Sequence, residues 1–477
     1  MSRHYRAVSP WRLRFCRTQR PFQRPSPRHL LRATLLSGFI WLSGLDLLAE
    51  KAQLYQPWPM HHVCRDFLIA NSLNAADVDG DGFNDYSVID ERRDLITIIF
   101  HPGKNGDVRK EWPRMVLGEA SNPEYACLGD LDGDGCADLV VAQGDDLGKN
   151  LRTGVRIFWC PEKANARIAS AWRSGGMVPG TDNEQFVYAE CHDVDGDGAL
   201  DIIVGGRRNP VTKHYAGVRW LKAPNDPAAR RDLSKWTTHF IDSEALGGHG
   251  FVLADLNQDG RKDLLLANAD WDTSIFDSDL CWYESPEPAP DRLKPWPRHR
   301  IWKSTEFYPK PQIGVGDYDG DGLIDLVTQT QNSIHFFRGT SKQPPEWKHL
   351  AVPKPDFIQW IGRPIKFADL NGDGRLDIVG ALIHNDGNLP KDKASVFWME
   401  NNGEPPATWK AYPIKWSDGA NTHDQWTGEK WDHLIPLDVD GDGDLDLLGN
   451  VEEHFHAGSD GKPVSWFSVV WFENLLR

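Results

Sequence analysis

Seven short segments of this chain hold carboxylates at one fixed spacing, and that spacing suits a hard cation. They begin at Asp77, Asp130, Asp193, Asp255, Asp317, Asp369 and Asp438, and each reads D-x-[DN]-x-D-G-x-x-D. Oxygen side chains at positions 1, 3, 5 and 9, with glycine at 6 for a sharp turn, are what Ca²⁺ needs. The candidate ligands are Asp77, Asp79, Asp81 and Asp85 in the first loop, and Asp130, Asp132, Asp134 and Asp138 in the second. Asp193, Asp195, Asp197 and Asp201 form the third set, and Asp255, Asn257, Asp259 and Asp263 the fourth. Asp317, Asp319, Asp321 and Asp325 follow, then Asp369, Asn371, Asp373 and Asp377, and finally Asp438, Asp440, Asp442 and Asp446. The expected cofactor is up to seven structural Ca²⁺ ions. Asn257 and Asn371 keep a carbonyl oxygen but remove a charge, so the fourth and sixth sites should be weaker.

These loops are not EF-hands, which close with a glutamate at position 12 inside a helix–loop–helix. Position 12 here is Val88, Val141, Val204, Leu266, Thr328, Gly380 or Gly449. Short β-type runs flank every loop, such as FVYAEC before and DIIVG after, so the loops join strand to strand. The copies recur at intervals of 53, 63, 62, 62, 52 and 69 residues. Each interval holds two further strand-like runs. The third is typified by GVRIFWCPE, and the fourth begins with Trp, as in WTTHFI and WKAYPI. The seventh repeat lacks its fourth run, and a matching piece, WPMHHV, stands near the N-terminus. A ring closed by an N-terminal strand explains the displacement and protects the sheet edges.

The spacing therefore predicts an all-β fold, a seven-bladed β-propeller with a calcium loop in each blade. In its loops and flanking strands the chain resembles the FG-GAP/VCBS repeats of the integrin α-subunit head and many secreted bacterial proteins. The predicted organisation is a signal peptide over 1–49 and a propeller over 50–477, closed by a strand within 54–64. The Trp-rich outer strands are also similar, more diffusely, to the propeller of aldos-2-ulose dehydratase-type proteins. No catalytic residue is carried over from that likeness.

Residues 1–49 hold nine Arg and one acid, Asp46, and within them an apolar run of 16 residues, which includes Asp46, follows the basic stretch. That is a leader pattern, too short for a span that wants about 20. Export with cleavage follows, to a secreted or periplasmic location, with no integral membrane segment left afterwards. Without the leader the net charge is −24, and 26 of the acids sit at loop ligand positions. Nucleic acid, which needs a basic surface, is excluded as a partner. The six remaining Cys show no CxxC spacing and read mainly as small buried hydrophobes, one or two disulfides being open to them after export.

In a propeller the first strand of each blade lines the central channel. Three residues before each loop, one tier holds Glu190 and Lys366 on blades three and six. Five residues before, a tier nearer the mouth holds Ser72, Tyr125, Tyr188, Gly250, Gln312, Pro364 and His433. Rim loops add Arg207, Arg208, His214, Trp271, Trp431 and a His-rich stretch at His454. The candidate ligand-binding set is Glu190, Lys366, Gln312, His433, Tyr188 and Trp271. Aromatic rings beside acids, amides and His suit a sugar. Two functions stay open: an exported calcium-binding propeller that binds a carbohydrate or an extracellular protein, or a sugar lyase or dehydratase working at the channel mouth.

Overall fold

Alternating apolar residues and tight acidic turns give seven antiparallel four-stranded sheets. The computed structural model describes residues 56–144, 153–207, 214–245, 250–268, 278–287, 289–304, 312–330, 332–359, 364–381, 392–418, 429–453, 455–457, 463–465 and 468–476. The predicted leader lies outside this set. Blade one comprises Ala70–Ala76, Asp85–Asp90, Leu95–Ile99 and Arg114–Glu119. Blades two and three open with Pro123–Gly129 and Phe186–His192, blades four and five with Phe251–Ala254 and Gly314–Gly316, and blade six with Ile365–Ala368. Blade seven runs in the order Met60–Cys64, Val469–Phe472, Asp446–Glu453, Lys430–Leu437. Met60 pairs with Phe472 and His62 with Val470, so a strand from the N-terminal end is the outer strand of the last sheet. A small extra hairpin, Phe455–Ala457 with Pro463–Ser465, emerges from the same blade and was not foreseen.

At the acidic loops the register is the same in every blade. The residue just before each acidic loop pairs with the aspartate at loop position 9, as in Ala76 with Asp85, His192 with Asp201 and Leu437 with Asp446. The turn is possible because the glycine at position 6 takes φ between 84° and 97° in all seven loops, where a side chain would be strained.

The core is divided into seven clusters, each lying between two neighbouring blades. Val140, Ile157, Ile202 and Leu221 pack between blades two and three, for example. The outer-strand tryptophans belong to these clusters, though mostly not to the strands themselves. Trp172, Trp236 and Trp409 immediately precede their strands, which begin at Arg173, Thr237 and Lys410. Each turns back onto the preceding blade: Trp172 joins the cluster of blades one and two, Trp236 that of two and three, and Trp409 that of five and six. Their indole N–H groups donate to the carbonyls of Ala166 at 2.9 Å, Arg230 at 2.8 Å and Glu404 at 2.8 Å. The ring is thus buried without leaving its polar atom unpaired.

Candidate functional site

The acidic loops stand where the first strand of each blade turns into the second. In five of them three carboxylates converge, with potential ligand atoms within 4.8 Å of one another. Loops one, two, five and seven bring together positions 1, 3 and 9, whereas loop three gathers Asp193, Asp195 and Asp197. Position 9 anchors the backbone in all seven. In loop three Asp201 accepts hydrogen bonds from the amides of Val194 at 3.2 Å and Ala223 at 2.8 Å, tying the loop to the end of the third strand. Asp85, Asp138, Asp263, Asp325, Asp377 and Asp446 repeat both bonds.

Burial pushes these acids up, Asp85 to about 7 and Asp138 to about 8; neighbouring carboxylates add to the rise and the amide donors oppose it. Basic side chains offset part of the charge. Lys222 Nζ lies 2.5 Å from Asp195 and 2.7 Å from Asp197, and Arg109 lies 2.6 Å from Asp440. Asp195 Oδ1 and Asp440 Oδ1 remain buried without a hydrogen-bond partner. Loops four and six differ. Their position 7 is Arg261 or Arg375, which pairs with Asp259 or Asp373 of its own loop, beside Asn257 or Asn371.

At the other end of the first strands, the tier nearest the mouth meets across the channel. Tyr188 Oη donates to Glu190 Oε1 at 2.9 Å. The Tyr125 ring lies 4.3 Å from that of Tyr188 and 5.5 Å from that of His433. Gln312 Nε2 donates to the Asp432 carbonyl at 2.8 Å, reaching from blade five to blade seven. Gln312 Oε1 and His433 Nε2 are buried with no hydrogen-bond partner. Burial pushes Glu190 up to about 7, opposed by the Tyr188 hydroxyl and the Lys366 charge. Burial lowers Lys366, opposed by Glu190. Among the described residues no ion pair within 4.0 Å joins these two, although each feels the other's charge.

Asp432 is the residue that sequence reasoning missed. Strict alternation turns it toward a blade interface, yet its Oδ2 accepts from the Ser72 amide at 3.2 Å and lies 2.7 Å from His433 Nδ1. The reason is a register shift between Trp431 and His433, which re-aims the side chain. Irregularities of the same kind occur near the mouth in blades one, two and three, a signal that no single sequence displays.

Several rim expectations change. Trp431 is not exposed: it is fully buried between blades six and seven, where its indole N–H lies 3.3 Å from Glu429 Oε2. Arg207 pairs with Glu124 at 3.3 Å and His214 with Glu184 at 3.1 Å. Trp271, Arg208 and His454 lie outside the described residues. A cavity of about 500 Å³ opens on the acidic-loop face between blades five and six, lined by Tyr318, Arg338, Lys348, His349, Arg375 and Glu404. Its walls come from segments far apart in the chain, which no motif connects.

The profile of the FG-GAP-like repeat matches residues 77–141, 193–266, 317–380 and 369–449, more than half of the chain and all seven loops. Linkin of Caenorhabditis elegans is 27% identical over 250 residues, covering 49% of this chain and 38% of linkin. The Dos1 propeller superposes with a TM-score of 0.46 at 7% identity, covering 88% of this chain and 95% of that one. A crystal structure of BBS1N in complex with ARL6DN gives 0.43 at 12% identity, covering 89% and 98%. An Agrocybe aegerita lectin that recognises non-reducing terminal N-acetylglucosamine gives 0.33 at 17% identity, covering 86% of each chain. Among the described residues no helix is long and apolar enough to cross a membrane.

Proposed function

Because this chain belongs to the FG-GAP-like repeat family, we propose that it is an exported, calcium-stabilised binding module whose channel mouth takes a carbohydrate. The observation that supports this reading is the cross-channel cluster of Tyr125, Tyr188, Glu190, Gln312 and His433, where Gln312 Oε1 and His433 Nε2 stand buried and unpartnered. Such atoms cost free energy until a partner reaches them, and a sugar hydroxyl is one. Tyrosine rings supply faces for stacking. Calcium would be held by the converged carboxylates of loops one, two, three, five and seven. Loops four and six, with an asparagine and an internal arginine, would bind it less tightly. Residues 1–49 would be the leader, and N-terminal sequencing of the exported chain checks cleavage near that boundary.

The test is a double change, Glu190→Gln with Lys366→Met, which keeps size and removes both charges. Binding to a glycan array should fall by about 1–3 kcal/mol, the cost of losing buried hydrogen-bond partners. Unaltered glycan binding by the folded double variant would remove the pair from the site. If neither protein binds any glycan, the carbohydrate reading fails.

One observation favours a second reading. Glu190 is pushed up to about 7 while Lys366 is lowered, which places an acid and a base closer to neutrality than either is in water. A sugar lyase or dehydratase would use such a pair to move a proton next to a carbonyl. Turnover of keto-sugars that is abolished by Glu190→Gln alone, with binding retained, would select this reading over the first.

A further inference from the structure

We propose that Cys136 and Cys160 form a disulfide that fastens the second acidic loop to the third strand of its own blade. The two positions occupy a slot that recurs around the ring. The residue at loop position 7 faces a residue near the end of the third strand, which also gives its amide to the position-9 aspartate; for Cys160 that aspartate is Asp138, at 2.8 Å. In blade one the slot holds Phe83 stacked on His101, with centroids 4.5 Å apart and planes 4° from parallel. In blade four Arg261 Nε donates to the Ser285 carbonyl at 3.1 Å. Blade six repeats the blade-four contact, Arg375 Nε donating to the Asn401 carbonyl at 2.7 Å, whereas in blade two the slot holds a pair of thiols.

The two sulfurs stand within reach of one another, although each is a free cysteine here and Cys136 Sγ also lies 2.8 Å from the Pro161 carbonyl. Cys136 Sγ and Cys160 Sγ lie 2.7 Å apart, and the two residues are 2% and 1% exposed. Two other cysteines give the contrast within the same molecule. Cys127 and Cys191, on the first strands of blades two and three, hold their sulfurs 3.5 Å apart, the separation of non-bonded neighbours. A covalent bond needs about 2.04 Å, so the blade-two pair has only a small distance to close. Both residues are fixed in place by backbone hydrogen bonds, the Cys136 amide donating to Asp134 Oδ1 at 2.9 Å.

Forming the bond breaks two S–H bonds and makes one S–S bond. The pair gives up two electrons and two protons. A small-molecule or protein disulfide takes them, its own S–S bond breaking to two thiols through a mixed-disulfide intermediate. Because both sulfurs are buried in the folded blade, the exchange takes place during folding, in an oxidising compartment.

The full chain, secreted from a host into an oxidising medium, is denatured without reductant and treated with an alkylating agent. Cys136 and Cys160 should resist alkylation, and a peptide joining them should disappear on reduction, while Cys127 and Cys191 are alkylated. Alkylation of both Cys136 and Cys160, or their linkage to any other cysteine, overturns the proposal. A second measurement uses Cys136→Ala with Cys160→Ala. That variant recreates the pair Ala199 and Ala223, which fills the same slot in blade three and is buried there in one cluster. Reductant should lower the melting temperature of the parent chain by several degrees and leave the variant unmoved. The chains are first unfolded and refolded in reductant so that the buried pair is reached; an equal response in both, or none in the parent after that treatment, also overturns it. Should the variant fail to fold, the peptide map of the parent decides alone.

Discussion

At the scale of the residue, the aspartates of one loop do two different jobs. Asp195 lies in the convergent cluster of loop three, with one oxygen buried and unpartnered. Asp201 gives both oxygens to backbone amides. The expected outcome separates them. Asp195→Ala should lower stability in calcium and have little effect in excess chelator. Asp201→Ala should cost about 1–3 kcal/mol for each amide left buried and unpaired, in chelator as well as in calcium. Thermal melts of both variants in the two buffers check this, and identical calcium dependence would merge the two roles.

Glu190 gives a prediction with a definite sign. Its carboxyl is raised from 4.5 to about 7 in the fold, burial being the main cause. Between those values the folded chain keeps a proton that the unfolded chain has lost. Stability conferred by this group is therefore full below pH about 4.5, falls as pH rises through the window, and is level above about 7. The denaturant midpoint of the parent minus that of Glu190→Gln, followed against pH, should decline across this range. A flat difference would mean that Glu190 ionises as it does in water.

At the scale of the element, the strand-preceding tryptophans are the mortar between blades. Trp236 is buried among residues of blades two and three, and its indole N–H is bonded to the Arg230 carbonyl. Trp236→Ala should cost about 3–5 kcal/mol, the usual range for emptying a large aromatic site. Trp236→Phe should cost less, since it loses the hydrogen bond and part of the volume. Chemical denaturation measures both; equal small effects would show that the neighbouring blades pack without the ring. The signature of four strands per repeat, with Trp at the last, is legible in the chain. The backward reach of each Trp is not, because it depends on which blade stands behind.

At the scale of the whole molecule, closure rests on a single outer strand. Met60–Cys64 covers Val469–Phe472 and buries Val63 and Cys64 against blades seven and one. Removing residues up to Val63 exposes a sheet edge and opens that cluster. The shortened chain should aggregate or melt at lower temperature, as light scattering and calorimetry would register. A truncated chain as soluble and stable as the parent would show that the ring closes without this strand.

The sequence by itself determined the repeat, its sevenfold count, the turn glycines and the position of the acidic loops. These follow from local chemistry, since nine residues are enough to specify a tight carboxylate turn and alternation is enough to specify a strand. It also placed Glu190, Lys366, His433 and Tyr188 on first strands, and Gln312 two residues ahead of one, because the offset from each loop fixes the height in the channel. Only the tertiary structure decided who meets whom. Asp432 enters the channel through an irregularity at Trp431–His433, which shifts the alternation by one residue. Trp431 is buried rather than on the rim because blade six lies against it. Cys136 and Cys160, 24 residues apart without any recognisable spacing, meet because the loop and the third-strand end share a slot. Partners of this kind are set by register and by neighbouring blades, and the information for them is spread over the whole ring.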